Sequence, residues 1–209
     1  MANTKDLFLD EELRAGGGWY ELSIQVCPCA NDEPINLYTE HIWKLENVEG
    51  PYDYKYNLLT PNIENIEHKG VLNLGNFAIP FMTYNIREDE QIETGFNWFD
   101  ICFYTTAIER VFGSEYQMWN RNPKIPKPLD VFIKKTSKDL YRLYPFQLAM
   151  LDFEVSGCYY LNDLKENLLG DSTSSAFFVG MENYNLINED NKRFVTKLDY
   201  CEEGETKDS

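Results

Sequence analysis

Two sets of side chains in this sequence have the types and spacing that chemistry requires. The first is Cys27-Pro28-Cys29, in which two thiols are one residue apart. Zinc sites combine such a pair with further Cys or His ligands at defined spacing, but the histidines, His41 and His68, lie in no ligand-spaced cluster. We therefore interpret the segment as a turn that ends a strand. We expect no metal, no cofactor and reduced thiols.

The second set is acidic. Asp100, Asp152 and Glu154 lie in predicted strands, where any two could approach as a general acid and a general base. Spacing alone does not bring two of them together, and among 35 acidic residues such pairs arise freely. The sequence contains no phosphate-binding loop, nucleophile elbow, HExxH motif or paired CxxC motif. We therefore predict solvated or hydrogen-bonded carboxylates, no catalytic residue, and a protein that is not an enzyme.

The charge of the chain restricts its partners. A net charge of −16 over 209 residues argues against a protein that reads nucleic acid, because phosphate binding needs a basic surface. Residues 121–142 are the exception, with seven Lys or Arg against two acids. This basic segment is a solvated face, a contact with the acidic surface of another copy, or a nucleic-acid site. Self-association is the favoured functional alternative, and we assign to it five basic residues and three tyrosines: Arg121, Lys124, Lys127, Lys134, Lys135, Tyr52, Tyr54 and Tyr56.

The length and the apolar content of 43% are typical of one globular domain. We predict a polar N-terminal arm at 1–18, a single domain at 19–201 with insertions at 30–73 and 156–173, and an acidic tail at 202–209. No apolar run approaches the ~20 residues of a spanning helix, and the N-terminus lacks the features of a signal peptide. A cytosolic protein without membrane insertion is therefore expected.

The elements that would position these residues are organised around 95–121. Residues 98–105 alternate apolar and polar side chains, as a half-buried strand does. From Ala107 the apolar side chains follow helical spacing, so the strand is predicted to run into an amphipathic helix. The predicted core has nine strand residues, with three helix residues packed on the sheet: Tyr20, Leu22, Ile24, Phe99, Ile101, Phe103, Leu148, Met150 and Phe177, then Ile108, Phe112 and Trp119.

Most other segments have strand patterns. These segments are 19–26, 71–87, 129–135, the second half of 140–155, 175–186 and an edge strand at 193–201. Pro34–Leu45 fits a helix as well as a strand. WYELSI at 19–24 matches WFDICF at 98–103 in residue type, which indicates either an internal repeat or two equivalent strands. An acidic link at 87–95 predicts a hairpin with a long tip.

These elements predict a mostly β, α+β fold. Its expected form is two packed antiparallel sheets, sandwich-like or barrel-like, flanked by one main amphipathic helix. A long hairpin excursion covers roughly 46–76. Loops of this length in a compact domain are usually functional or bind a partner.

The order of elements resembles that of the tail tube proteins of contractile and long-tailed phages, whose fold is shared with the tube of type VI secretion systems. The segments that carry the resemblance are WYELSIQV, the excursion, FNWFDICFYTTAIERVFGSEYQMW, LYPFQLAMLDFEV and AFFVGMENYNL. It covers most of 19–187 and is a resemblance of pattern and order.

The resemblance implies a structural virion protein, either a tail tube or a tube-like baseplate or terminator component. Such a protein assembles in the host cytoplasm with other tail proteins and with copies of itself, as stacked rings, hexameric in this family, around a DNA channel. An acidic channel wall repels phosphates within a Debye length of about 8–10 Å. The alternative function is an acidic cytosolic immunity protein, an inhibitor that covers a basic toxin.

Overall fold

The computed structural model describes residues 3–15, 17–88, 95–117, 124–166 and 175–199. The strands within these ranges form a single mixed sheet in the order β2-β3-β4-β5-β1-β6-β7-β8. Neighbouring strands are antiparallel except for β7 and β8, which are parallel. The strands are β1 (Trp19–Pro28), β2 (Val48–Glu49), β3 (Glu67–Leu74), β4 (Phe77–Arg87), β5 (Phe96–Tyr104), β6 (Leu148–Phe153), β7 (Ala176–Gly180) and β8 (Val195–Leu198).

The two strands with matching sequence patterns are neighbours at the centre of the sheet. β1 pairs with β5 in an antiparallel register that places Leu22 opposite Ile101 and Ile24 opposite Phe99. Directly opposed residues on paired strands share a face of the sheet, so these apolar side chains form one continuous surface. The two matching patterns thus belong to neighbouring strands that contribute to the same apolar surface.

Helices cover that apolar surface. The helices of the described residues are α1 (Thr4–Leu9), α2 (Glu33–Trp43), α3 (Thr105–Phe112), α4 (Lys127–Leu143), α5 (Leu161–Lys165) and α6 (Met181–Tyr184). Tyr38 of α2 packs edge-on against Phe99, and Phe132 of α4 packs against Phe103. The largely β, α+β class is confirmed. Two packed sheets are not confirmed, because in the described residues α2 and α4 form the layer that a second sheet was expected to provide.

α2 resolves the ambiguity at Pro34–Leu45 in favour of a helix. Pro34 lies in its first turn, where the missing N–H removes no helical hydrogen bond. Ile35, Tyr38 and Ile42 recur at helical spacing and are all buried, which fixes the face that packs on the sheet.

The strand predicted at 129–135 is wrong, because α4 spans these residues. Leu129, Phe132, Ile133 and Leu140 are spaced as one face of a helix and are buried. The prolines before them do not prevent a helix, since Pro128 lies in its first turn. α4 is longer than α3, so the expectation of one main helix after the central strand is also wrong.

α3 is shorter than the predicted helix at 107–119. It ends at Phe112 because Gly113 adopts a φ of 119°, a backbone conformation that favours glycine. A short 3₁₀-helix at Ser114–Tyr116 follows. Ile108 is buried, and Phe112 is half-buried against the core. Trp119 lies outside the described residues.

The predicted core is confirmed. All nine predicted strand residues are at most 5% exposed. They belong to two clusters: the six from β1 and β5 pack with α2 and α4, whereas Leu148, Met150 and Phe177 pack with α5. The sheet is therefore buried in part on both faces.

Three further segments complete the fold: a hairpin, a long loop and the N-terminal segment. β4 and β5 pair as the predicted hairpin, but its tip at 89–94 lies outside the described residues. β2 and β3 pair in antiparallel fashion at one edge of the sheet. Residues 50–66, which connect these two strands, are called the excursion loop. The N-terminal segment is packed against the protein, with Phe8 and Leu13 each 2% exposed.

Candidate functional site

A pair of acidic side chains is buried in the middle of the sheet. β1 carries Glu21 and Ser23, and the register places Ser23 opposite Asp100 of β5. Glu21 is 4% exposed and Asp100 is 2% exposed. Buried carboxylates are costly unless they are hydrogen-bonded, so their partners decide how the sheet tolerates them. We call Glu21 and Asp100 the buried acid pair.

Ser156, in the turn that follows β6, hydrogen-bonds to both acids. The Ser156 N–H donates to Glu21 Oε1 at 2.6 Å, and the Ser156 hydroxyl donates to Asp100 Oδ2 at 2.7 Å. The Cys102 thiol donates to Glu21 Oε2 at 3.6 Å. Asp100 Oδ1 is buried without a hydrogen-bond partner among the described residues. Ser156 therefore fastens the turn after β6 to the centre of the sheet.

Burial dominates the titration of these acids. It raises the pKa of Glu21 to about 7; the Ser156 N–H opposes the rise, and Asp100 adds to it. Burial also raises the pKa of Asp100 to about 6, opposed by the hydroxyls of Ser156 and Ser23. Such acids can hold a proton near neutral pH. With both side chains almost fully buried, no substrate reaches them in this conformation.

The other two acids named from the sequence have hydrogen-bond partners different from those of this pair. Asp152 accepts a hydrogen bond from the Ser175 hydroxyl at 2.8 Å. Glu154 is exposed and accepts from the Trp19 N–H at 2.6 Å. Of the three sequence candidates, only Asp100 belongs to the buried acid pair. The burial of Glu21 is not apparent from the sequence, because the strand alternation places this residue on the polar face.

The excursion loop exposes apolar side chains. Tyr54 is 79% exposed, Leu58 71% and Ile66 67%, which are the three highest values among the large hydrophobic side chains described. Leu59 is 40% exposed. These four residues are called the loop patch. The signal in the sequence was two adjacent leucines in an otherwise polar, tyrosine-rich segment.

Local contacts hold the loop in place. Tyr52 and Tyr56 stack with ring centroids 4.0 Å apart, and the Phe8 ring packs against both. The Asp53 carboxylate accepts hydrogen bonds from the Lys55 and Asn57 N–H groups, each at 2.8 Å. Of the three tyrosines assigned to self-association, Tyr54 therefore points into solvent, whereas Tyr52 and Tyr56 pack inward.

A cavity of about 240 Å³ lies beside this loop. Its apolar walls are Ile35 of α2, Ile63 of the excursion loop and Ile86 of β4. Its polar groups are supplied by five other side chains: Asp32, Glu64, Asn85, Arg87 and Asn97. These residues come from separate segments of the chain, so no sequence pattern indicates the cavity.

The lysines assigned to self-association are exposed on or next to α4. These residues, which we call the lysine set, are Lys124, Lys127, Lys134 and Lys135. Lys134 pairs with Asp130 at 2.9 Å and Lys135 with Asp139 at 2.8 Å, both within α4. No hydrogen bond or ring contact of the described residues joins the lysine set to Tyr52, Tyr54 or Tyr56. Arg121 lies outside the described residues.

The remaining sequence candidates are thiols and imidazoles. Cys27 and Pro28 are the last two residues of β1 and Cys29 lies in the turn that follows, so the turn predicted for Cys27-Pro28-Cys29 begins only at Cys29. Both are free thiols, as are Cys102 and Cys158. Burial lowers the pKa of His41 and of His68. In the part of the chain that is described, no three His, Cys, Asp or Glu side chains come together as metal ligands would.

Comparison with known protein families, curated proteins and solved structures finds no match to this chain. Within the described ranges, none of the helices combines the length and hydrophobicity needed to cross a bilayer. The tail tube resemblance therefore stays a prediction.

Proposed function

We propose that this protein is an acidic binding protein that covers a basic protein partner, as an inhibitor of the immunity type does. The observation that carries the proposal is the loop patch, in which one loop exposes Tyr54, Leu58 and Ile66 by two thirds or more. Four exposed apolar side chains within one loop are more than the singly scattered apolar residues that are normal on a surface, and exposed apolar patches mark interaction sites. Aromatic and apolar anchors supply most of the binding energy at protein interfaces.

The charge of the chain supports a basic partner. A net charge of −16 steers a positively charged protein toward the surface and raises its association rate. Glu64 and Glu67 are exposed next to the loop patch. Exposed acids beside apolar anchors match the polar rim of a transient interface.

The loop is also organised before binding. The stacked Tyr52 and Tyr56 rings and the turn bonded by Asp53 fix its backbone. A loop ordered in advance loses less conformational entropy when it docks. This order supports a role in recognition, because an unanchored loop would pay that cost on binding.

The test is affinity capture of the partner from source-cell lysate, followed by reconstitution with the purified partner. We expect a basic protein that forms a 1:1 complex in light scattering. Replacing Tyr54, Leu58 and Ile66 with Ser should abolish the complex without unfolding the protein. As a matched control, Met181→Ser with Leu186→Ser removes apolar side chains that are also exposed and should leave binding intact. Equal binding by both variants would overturn the proposal.

The tail tube function is a second candidate, favoured by the exposed lysine set on an acidic chain. A head-to-tail contact joins two different patches and closes into a ring when the rotation allows. Under this proposal the protein assembles in the host cytoplasm, as hexameric rings around a DNA channel, into the virion. Negative-stain images at high concentration separate the two candidates. Rings or filaments would favour the tube, whereas a monomer that forms a 1:1 complex would favour the inhibitor.

A further inference from the structure

We propose that the cavity beside the excursion loop is a receptor for one arginine side chain of the basic partner. The inference rests on the proposed function, because it names the group through which that partner is recognised. At about 240 Å³, the cavity is smaller than the ~300–1,000 Å³ typical of drug-sized ligands. One long side chain is an occupant of suitable size.

The walls fit the two halves of an arginine. Ile35, Ile63 and Ile86 come from three different elements and present apolar surface. Long basic side chains bury their methylene stems along such surface and keep the charged head near polar groups. The cavity therefore offers a place for the stem as well as for the charge.

The charges of the lining are unequal. Asp32 and Glu64 are acidic and Arg87 is basic. Asp32 already forms an ion pair with Arg87, whereas Glu64 forms no ion pair among the described residues. The lining has a net charge of −1, with Glu64 as the unpaired carboxylate. A second guanidinium can bind there without displacing Arg87.

The chemistry favours arginine over lysine. A planar guanidinium donates two parallel hydrogen bonds to one carboxylate, and it is more weakly hydrated than an ammonium group. The cavity already accommodates one guanidinium–carboxylate pair in Arg87 and Asp32. Asn85 and Asn97 line the same space; Asn85 Oδ1 accepts the Thr39 hydroxyl at 3.3 Å, and a carbonyl oxygen has a second lone pair for a further donor.

The cavity is continuous in sequence with the loop patch. Ile63 and Glu64 line the cavity, and Leu58, Leu59 and Ile66 flank them in the same loop. A partner that docks on the loop patch therefore presents its adjoining side chains to the cavity. The apolar anchors would supply the strength of binding, and the arginine would supply specificity and orientation.

The experiment is an NMR titration of the ¹⁵N-labelled full chain with the peptide acetyl-Gly-Arg-Gly-amide. We expect saturable shifts of the Asn85 and Asn97 side-chain amides. The control peptide carries citrulline, which has nearly the same shape without the charge, and should give no saturable shift. Glu64→Gln should weaken arginine-peptide binding at least about threefold, in the range of an exposed ion pair.

Glu182→Gln is the matched variant, because it removes the same charge from an exposed position on α6 that forms no ion pair among the described residues and lies outside the cavity. This variant should change the affinity for the arginine peptide less than about twofold, because an exposed charge that does not contact the peptide is largely screened by salt. Equal weakening by both variants, equal binding of citrulline, tighter binding of a lysine peptide, or no saturable shift would each overturn the inference. If the arginine peptide fails while the loop patch variant still loses the basic protein, the proposed function stands and only the cavity's role falls.

Discussion

Replacing Glu21 with Gln should stabilise the protein at alkaline pH. In the folded state burial raises the pKa of Glu21 from an ordinary 4.5 to about 7, so folding favours the protonated acid. A tenfold change in proton affinity corresponds to about 1.4 kcal/mol. Ionised Glu21 therefore costs the folded state roughly 3 kcal/mol at pH 8, where the unfolded chain holds the same carboxylate in water.

The sign of the pH dependence follows from the raised pKa. The contribution of Glu21 to stability is fully present below its ordinary pKa of 4.5 and is lost as the pH rises through about 7. Gln is neutral at every pH, and its carbonyl can still accept the Ser156 N–H. The increase in the free energy of unfolding caused by Glu21→Gln should therefore be close to zero at pH 4.5 and should reach roughly 2–3 kcal/mol at pH 8.

The assay is urea unfolding of the wild type and the variant at half-unit steps from pH 4.5 to 8.5. Subtracting the two stability curves removes the contributions of His41 and His68, whose pKa values burial lowers. Glu182→Gln is the control, because it removes an exposed carboxylate and should show no gain that grows with pH. A difference between wild type and Glu21→Gln that is the same at pH 5 and pH 8 would refute the reasoning.

Three further predictions concern the core, the thiols and the lysine set. Truncating Phe99 or Phe103 to Ala should lower the free energy of unfolding by roughly 3–5 kcal/mol in urea titrations, and losses under about 1 kcal/mol at both would contradict the packing described. EDTA should leave the thermal midpoint unchanged, and a drop of several degrees would instead make Cys27-Pro28-Cys29 a metal site. Changing the lysine set to Glu should keep the monomer folded and slow any self-assembly seen by light scattering; an unchanged rate across a salt series would mark the lysines as merely solvated.

The central strands could be predicted because their pattern is local. Leu22 and Ile24 alternate with polar residues, as do Phe99 and Ile101, and one buried face is enough to fix the strand period. α4 could not be predicted in the same way. A seven-residue window at 129–135 is too short to separate the two periods, and the deciding residue, Leu140, lies beyond it.

The candidate sites could not be read from the sequence, for two physical reasons. The buried acid pair depends on Ser156, which is 135 residues from Glu21 in the chain. The cavity combines residues of four segments, represented by Ile35, Ile63, Ile86 and Asn97, and no spacing rule connects them. The basic segment was recognised from composition, but only the structure places Lys127, Lys134, Lys135 and Lys138 on a helix.

The central position of β1 has a consequence for synthesis of the chain. β1 hydrogen-bonds to β5 and β6, and the Trp19 N–H donates to Glu154, 135 residues later. At ~5–20 residues per second, a ribosome needs roughly 7–27 s to make the intervening chain. During that time β1 has emerged with at least one edge unpaired, and an unpaired edge is a template for association with other strands. A nascent chain stalled before β6 therefore leaves unpaired one edge of the strand that lies at the centre of the finished sheet.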